Sequence, residues 1–501
     1  MEKQNSEIKL AKAILKEEPV GGMEVKFHHV DFVKKELAEL IYTPANKGAF
    51  SYLIWNEKSQ DFKLTNEWVI EKTGTRIIPP VKNERFIQDM LIPVVKDNKE
   101  FKAKIEKFDT KELDHRIDSF FKKWFILPEE YILAFRLFIK FSWVQEQSYM
   151  MPYLSLWGDR GTGKTMVGIF LSWLCRFPYF NKGGATPAVL ARSLDLIRGI
   201  AILDESDMYL SNNEETASFM RIMRGYHADA TYDVVDEKRK TKFPKRFNVG
   251  FPKVILSAKP LKDDHLSSRC IILELKPAKV PPEMIRDTKN YFWEDLKKEA
   301  QEIVNMLLIF RLKNIFDNTS TKTIVSGVEP RYNDVAMPLF YMIDDEAEHK
   351  IFYDLVIKNI EVDLSQREET NEGQILVSLK KLIEQAEEGQ LIRGIPRIFL
   401  EDLVVEVKQS FYSDSNERDI AKFINSKKLG WTLKGLGVKT KRDGNNQGKK
   451  FVDPDSFDDL PALYSRFGVR NEAVNEPNLD ELLTKEQIGS IMDVENNNKN
   501  E

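Results

Sequence analysis

Short apolar runs and longer segments with helical spacing alternate along residues 151–276. This alternation is typical of a parallel sheet whose strands are joined by crossover helices. The predicted strands lie at 152–157, near 178–181, and at 199–204, 252–257 and 270–275; the predicted helices lie at 164–174, 187–197, 213–226 and near 263–268; a hairpin lies at 231–248. The pattern therefore predicts an α/β domain in the middle of the chain.

The segments before this domain give weaker patterns. We expect a mixed α+β region of unknown role over residues 1–110 and a helical connector over 111–147. Helices are predicted at 8–15 and 30–41, and strands at 50–55 and 67–71. Pro128 and the two acids after it have the composition of a helix start. These segments show no chemistry of their own.

Length and composition bound the class of protein. With 501 residues and 42% hydrophobic content, we expect about three domains, each with a core. Cys175 and Cys270 are the only cysteines, so a disulfide framework and a cysteine zinc site are excluded and a reducing compartment is favoured. The six histidines lack ligand spacing. We expect no metal site beyond the magnesium of a bound nucleotide.

Hydropathy and charge indicate where the protein acts and what it can bind. The first residues are polar and lack a secretory signal, which favours the cytoplasm. The most apolar window, 131–144, carries Arg136 and Lys140 and is too short to span a bilayer, so we expect no membrane association. Net charge is −4, from 75 basic and 79 acidic side chains. Any nucleic-acid surface must therefore be local.

The strand predicted at 152–157 is followed by the phosphate-binding pattern G-x-x-x-x-G-K-[ST]. In this pattern backbone N–H groups surround the phosphates, Lys164 supplies a charge for the β and γ oxygens, and Thr165 offers a hydroxyl to Mg²⁺. The expected ATP-binding residues are Gly158, Asp159, Arg160, Gly161, Thr162, Gly163, Lys164, Thr165 and Met166. A glycine-rich turn without function is the alternative, which the strand and helix around it disfavour.

A second acidic strand completes such a site in ATPases. Four apolar residues lead into Asp204 and Glu205. We expect Asp204 to hold Mg²⁺, directly or through water, and Glu205 to polarise the attacking water. A buried strand with an acidic end is the alternative. The cofactors predicted from the two motifs are ATP and Mg²⁺.

Residues of about 150–280 resemble AAA+ ATPases. The Asp204–Glu205 pair, the strand at 251–258 and the segment 266–271 are similar to the second acidic motif, sensor 1 and the arginine-finger segment of that family. The resemblance implies a P-loop core over 148–278, a parallel sheet with helices on both faces. It implies that Arg269 reaches ATP bound to a neighbour in a ring, most often a hexamer. Ser257 stands where sensor 1 is usually asparagine, and a surface arginine at a helix end is the alternative for Arg269.

Helical patterns at 281–316 and 333–362 predict a helical lid over residues 279–365. The sensor 2 candidates on this lid are Arg331 first and Arg311 second. The polar segment 364–373 predicts a domain boundary.

The order of elements over residues 372–466 is that of a winged helix. Helices are predicted at 374–385, 399–411 and 416–427, followed by a strand, a glycine-rich turn and a strand. Residues 467–501 are predicted to be an acidic, disordered tail, through which we expect contact with a protein partner.

An insert at 231–248 carries the densest basic charge in the ATPase region. Lys238, Arg239 and Lys240 lie at its predicted tip. Its position before sensor 1 is similar to the hairpin of superfamily-3 and minichromosome-maintenance-type helicases, which contacts DNA phosphates in the channel. An edge hairpin that uses lysines against aggregation is the alternative.

The predicted wing is also basic, and we expect Lys441 and Arg442 to contact DNA there. A winged helix that binds only protein is the alternative.

These observations together predict an ATP-dependent DNA helicase of a phage, plasmid or mobile element, acting as a homo-hexamer on single-stranded or forked DNA. The alternative is a non-translocating AAA+ switch, such as an initiator, loader or transposition regulator. A protein-remodelling ring would require an aromatic pore loop, which the sequence does not show.

Overall fold

A computed structural model describes most of the chain and divides it into two compact units. The described residues are 23–44, 50–70, 75–80, 87, 90–206, 214–235, 244–261, 263–278, 290–317, 330–386, 391–392, 395–411, 424–444 and 449–469. The first unit comprises Met1–Val325 and Pro330–Val356, and the second comprises Ser326–Glu329 and Ile357–Glu501. The predicted helix at 8–15, the hairpin tip at 238–240 and the acidic tail after 469 lie outside the described residues.

The described N-terminal residues form two small sheets. An antiparallel sheet has the order β2-β3-β4-β5, and a second sheet has the order β1-β7-β6. The strands are β1 (Met23–Val25), β2 (His28–Asp31), β3 (Glu36–Tyr42), β4 (Phe50–Asn56), β5 (Asp61–Thr65), β6 (Trp68–Ile70) and β7 (Thr75–Ile78).

The helix predicted at 30–41 is wrong, because this segment forms β2, a turn and β3. The five central residues of β3 are all buried, so both faces of the strand are covered. An apolar run without alternation cannot be told from a buried helix by periodicity alone. The strands predicted at 50–55 and 67–71 correspond to β4 and β6.

Three helices connect these sheets to the central domain: α1 (Asn98–Glu106), α2 (Thr110–Lys122) and α3 (Glu129–Val144). Asp97 and Asp109 cap α1 and α2, since their side chains accept hydrogen bonds from first-turn N–H groups. Pro128 immediately precedes α3, as the sequence predicts. All residues of α3 from Ile132 onward are buried, so this helix lies in the core of the first unit.

The central domain is built on a five-stranded parallel sheet. Its elements are β8 (Tyr153–Trp157), α4 (Lys164–Leu174), β9 (Pro178–Asn181), α5 (Pro187–Ile197), β10 (Ile200–Leu203), α6 (Glu214–Met223), the hairpin β11 (Thr231–Val234) and β12 (Lys245–Asn248), then β13 (Lys253–Ser257), α7 (Asp264–Ser267) and β14 (Cys270–Glu274). The strand order is β14-β8-β13-β10-β9. The α/β fold predicted for this region is confirmed, with element ends close to the predicted ones.

Helices follow the sheet: α8 (Asn290–Asn314), α9 (Pro330–Phe340) and α10 (Glu346–Glu368). The polar segment predicted as a boundary at 364–373 is helical at both ends, since α10 runs to Glu368 and α11 begins at Asn371. Within the described residues, none of the helices combines the length and apolar character that a bilayer crossing needs.

The second unit contains α11 (Asn371–Glu384), β15 (Leu391–Ile392), β16 (Ile395–Pro396), α12 (Leu400–Phe411), α13 (Ser426–Gly435), β17 (Thr440–Arg442), β18 (Lys450–Val452), a 3₁₀ helix (Pro454–Asp459) and α14 (Leu460–Arg466). Its core gathers side chains such as Leu379, Leu403 and Leu433. Most of the helix predicted at 416–427 lies outside the described residues. Helix α13 begins at Ser426, at the end of this predicted helix, and continues through 428–435, which were not predicted to be helical.

A buried ionic cluster joins the N-terminal strands to the central domain. Glu39 of β3 accepts hydrogen bonds from Arg176 Nε at 2.7 Å and from Arg311 Nε at 2.9 Å, and all three side chains are fully buried. Glu146 Oε1 accepts from Arg176 at 2.9 Å and from the His28 Nε2 at 3.0 Å. Because the cluster draws on four separate segments, it fixes their relative positions.

The charge states in this cluster follow from burial and neighbouring charge. Burial lowers the pKa of His28 to about 4, so its imidazole is neutral at pH 7. Burial alone would raise the pKa of Glu146, but Arg176 and Arg311 outweigh it and hold that pKa well below its ordinary value. The cluster therefore contains two guanidinium groups balanced by two carboxylates.

We expect Glu39→Gln to lower the free energy of unfolding by about 3–5 kcal/mol, because two buried guanidiniums lose their shared carboxylate. Thermal and denaturant unfolding of the full chain would measure the change. Glu100→Gln is the matched control, since Glu100 forms an exposed pair with Lys104 on α1, and such pairs contribute little. Equal stability losses in the two variants would contradict the role of the cluster.

Candidate nucleotide-binding site

The phosphate-loop residues form a tight turn between β8 and α4. A Cβ at Gly158 would lie 2.2 Å from the carbonyl oxygen of Leu275, so only glycine fits there. Gly163 has φ +89° and precedes the first helical residue, Lys164. The first N–H groups of α4 have no partner inside the helix, and the N-terminus of this eleven-residue helix is open to the loop. Such a loop is suited to bind phosphate oxygens.

Lys164 lies across its own loop. Its Nζ donates to the carbonyl oxygens of Gly158 at 2.5 Å and Asp159 at 2.7 Å, and it lies 3.3 Å from Thr162 Oγ1. Asp159, Arg160, Gly161 and Thr165 are exposed, and Met166 is half-buried. The Lys164 ammonium thus lies within the loop, and Thr165 is exposed beside it.

A cluster of aromatic rings packs around Phe170 of α4. The Phe170 ring centroid lies 4.9 Å from that of Phe120 and 5.1 Å from that of Phe125. It stacks at 5.2 Å on Trp173 of the same helix. These rings hold the helix N-terminus in place because buried aromatic side chains pack in few arrangements.

Asp204 and Glu205 lie at the same edge of the sheet as the phosphate loop. Strand β13 lies between β8 and β10, so Asp204 is separated from the loop by about 10 Å across the sheet. Asp204 is buried, and its Oδ1 accepts from the Glu205 N–H at 2.9 Å. Glu205 has φ +52°, which is uncommon for a residue other than glycine, and its side chain is exposed near Gly183.

Ser257 ends β13 between these two groups. Its side chain is buried, and its hydroxyl donates to the carbonyl oxygen of Lys259 at 2.7 Å. The lone pairs of that hydroxyl are left to accept a hydrogen bond. The structure thus brings Lys164, Asp204, Glu205 and Ser257 to one edge of the sheet.

Arg269 lies at the opposite edge. Strands β14 and β8 are parallel and in register, since Cys270 pairs with Tyr153 and Glu274 pairs with Trp157. Arg269 comes before the first residue of β14, whereas the phosphate loop comes after the last residue of β8. The two are separated by about 15 Å, the length of the strands, which exceeds the reach of a side chain. Arg269 therefore cannot act on a phosphate held by its own loop.

Arg269 has Arg331 as a neighbour. The Arg269 guanidinium lies 4.6 Å from the Tyr226 ring centroid and donates to the carbonyl oxygen of His265 at 2.6 Å. Arg331 donates to Ser268 Oγ at 3.0 Å. Burial lowers the pKa of Arg269, and the charge of Arg331 lowers it further. Among the described residues no carboxylate forms an ion pair with either guanidinium, so neither positive charge is neutralised in this way.

Neither sensor 2 candidate lies at the phosphate loop of its own chain. Arg331 is beside Arg269 at the far edge, and Arg311 is fully buried in the ionic cluster with Glu39 and Glu146. Arg311 is a structural residue because every nitrogen of its guanidinium is used there.

Lys253 is a residue that the sequence analysis missed. Its Nζ lies 2.7 Å from Tyr153 Oη and donates at 3.0 Å to the carbonyl oxygens of Gly225, Val249 and Phe251. Burial lowers the pKa of Lys253 well below its ordinary value. Lys253 begins β13 and Ser257 ends it, so one strand connects the base of the β11–β12 hairpin to the phosphate-loop edge.

The basic residues of the hairpin and of the predicted wing have different surroundings. Lys238, Arg239 and Lys240 lie outside the described residues, and Arg246 on β12 is paired with Asp233 at 2.9 Å. Lys441 contacts Asp453 at 2.7 Å and Asp455 at 2.8 Å, whereas Arg442 is exposed. Part of the predicted basic charge is thus already neutralised.

No protein-family model matches the chain, and no curated protein matches it. Solved structures with similarity include the A form apo structure of the NrS-1 C-terminal region, at 14% identity and TM-score 0.33, covering 83% of this chain and 96% of that one. A second NrS-1 structure, of residues 305–718 of that protein, has the same identity and coverage and a TM-score of 0.31. These TM-scores are too low to add to the geometry.

Proposed function

We propose that the chain is an AAA+ ATPase that assembles as a ring, hydrolyses ATP between subunits and moves DNA as a replicative helicase of a phage, plasmid or mobile element. The observation that carries the proposal is that the candidate catalytic residues are divided between two opposite edges of the sheet. The phosphate loop, Asp204 and Glu205 lie at one edge, and Arg269 lies at the other. Such a division is what an active site shared by neighbouring copies needs.

The strand order also supports the AAA+ assignment. Numbered along the chain, the strands stand in the order 5-1-4-3-2, so one strand separates the phosphate-loop strand from the acidic strand. That spacing leaves room for a water between the γ-phosphate and Glu205. In this proposal α8, α9 and α10 form the lid, and the order of elements in the second unit is that of a winged helix.

The residues present fit ATP and Mg²⁺. Thr165 and Asp204 would hold Mg²⁺, which when bound offsets negative charge on the β and γ oxygens. Lys164 and the N–H groups of α4 bind the phosphates, and Glu205 holds the attacking water and takes its proton. Ser257 accepts a hydrogen bond from that water. Arg269 of one copy, with Arg331 beside it, stabilises charge on ATP held by the next copy.

We expect Lys164→Ala to abolish ATP binding and Glu205→Gln to retain binding while lowering turnover at least about a hundredfold, because general base catalysis contributes that much. A fluorescent ATP analogue would report binding, and phosphate release would report turnover. Lys104→Ala, an exposed lysine on α1, is the control. Normal turnover in Glu205→Gln would remove its catalytic assignment.

We expect Arg269→Ala to lower turnover by about a thousandfold, because an arginine finger stabilises the transition state. Mixing Arg269→Ala protomers with Glu205→Gln protomers should restore part of the hydrolysis. At half of the interfaces between unlike protomers, an intact Glu205 faces an intact Arg269. Arg76→Ala, an exposed arginine near the N-terminus, serves as the control. No recovery at any mixing ratio would count against a shared site.

Strand separation distinguishes a motor from a switch. We expect Lys238→Gln, Arg239→Gln and Lys240→Gln together to spare basal ATP hydrolysis and to stop unwinding of a forked duplex, because the hairpin loses its contacts with phosphates. The matched control replaces three exposed lysines of α1, Lys99, Lys102 and Lys104, with glutamine. If the wild type hydrolyses ATP and binds DNA but never unwinds it, the non-translocating switch is favoured.

A further inference from the structure

A tryptophan on α13 is unusually exposed for its size. Trp431 is 64% exposed, while Leu429 and Leu433 on the other face of α13 are buried in the core of the second unit. The folded unit therefore presents the indole to solvent and does not use it for packing.

Two lysines lie on the same face of the helix. Lys427, Trp431 and Lys434 are spaced i, i+4 and i+7, so they form one stripe along about 10 Å of the helix surface. The Lys427 Nζ lies 5.0 Å from the indole centroid, and both lysines are exposed. Helix α13 has three lysines and no acid. Within the described residues, neither Lys427 nor Lys434 has a carboxylate at ion-pair distance.

Helix α13 packs against β17, the strand that follows it in the chain. Lys439, Arg442 and Lys450 are exposed and have no carboxylate at ion-pair distance in the described part of the chain, in contrast to Lys441 and Lys449. An aromatic ring flanked by ammonium groups, on a helix that carries three lysines and no acid, is complementary to a base flanked by phosphates.

We propose that Lys427, Trp431 and Lys434 form a binding site for single-stranded DNA, in which a base stacks on the indole and the lysines contact the flanking phosphates. A duplex keeps its bases stacked inside, so it cannot offer a ring face to Trp431. The choice of DNA over RNA rests on the proposed function. The three residues of the stripe are not among those to which the sequence analysis assigns DNA contacts, which are Lys238, Arg239, Lys240, Lys441 and Arg442.

Direct binding tests this site. A fluorescently labelled oligothymidine of about twenty nucleotides is titrated with the full chain, without ATP, and anisotropy gives the Kd. We expect Trp431→Ala to weaken binding about tenfold and Trp431→Phe to retain most of it, because base stacking needs only an aromatic face. Val405→Ala is the matched control, since Val405 is an exposed apolar residue of the same unit that follows the acidic first turn of α12.

The salt dependence tests the lysines. Replacing Lys427 and Lys434 with glutamine should reduce the slope of log K against log salt by about 1.4, because each phosphate contact on a single strand contributes about 0.7. A duplex of the same length should bind Trp431→Ala as well as it binds the wild type. The titrations are repeated with Lys238, Arg239 and Lys240 replaced by glutamine, so that the hairpin cannot mask the result.

Three outcomes would overturn the proposal: unchanged oligothymidine binding by Trp431→Ala in both backgrounds, an equal loss of duplex binding, or Trp431-dependent binding to anionic vesicles without binding to oligothymidine. Tighter binding to oligouridine than to oligothymidine would overturn the choice of DNA. Because the assay contains no ATP, its result still tests the DNA-binding site if the protein proves not to be an ATPase. Trp431 is exposed, and unchanged thermal unfolding would show that the variants are folded.

Discussion

The first unit depends on the buried charges that Glu39, Arg176, Arg311 and Glu146 share. Four segments far apart in the sequence contribute to this cluster, and each guanidinium is useful only if the facing carboxylate is in place. Breaking a buried pair leaves an uncompensated charge, which costs far more than the pair contributes when intact. The N-terminal strands are therefore held in place by residues at or just after the ends of α3, α4 and α8. The N-terminal region and the central domain thus belong to one compact unit.

The direction of the strands separates the two halves of the proposed chemistry. In a parallel sheet every strand places its carboxyl end at the same edge, which explains how residues as far apart as Lys164, Asp204 and Ser257 come together. The same rule places Arg269, which precedes a strand, at the other edge. A single chain thus carries two incomplete parts of the proposed site, and only a neighbouring copy could bring them together.

The sequence predicts the central domain well because each strand there is a short apolar run with a clear helix after it. The sequence-based prediction of helices and strands is wrong where the spacing of apolar residues does not distinguish the two. Strand β3 is covered on both faces, so 30–41 was predicted to be a helix. Helix α13 has mixed polarity and a central glycine, which hides its period. The roles of Lys253 and Arg311 depend in part on residues far away in the chain, such as Tyr153 and Glu39, and no local pattern reports such contacts. The turn between β8 and α4 was predictable because the glycine pattern that forms it is contiguous in the sequence.

Strand β13 runs from the base of the β11–β12 hairpin to the phosphate-loop edge of the sheet. Its last residue, Ser257, lies between the phosphate loop and Asp204, and its first residue, Lys253, holds carbonyl oxygens on both sides of the hairpin. Strand β13 is paired with β8 on one side and with β10 on the other, and this pairing stiffens it against bending. Lys253 uses a flexible side chain to make three such attachments to backbone, which do not depend on the identity of the residues attached. In the proposed motor, β13 is therefore the element that would carry a displacement of Ser257 to the base of the hairpin.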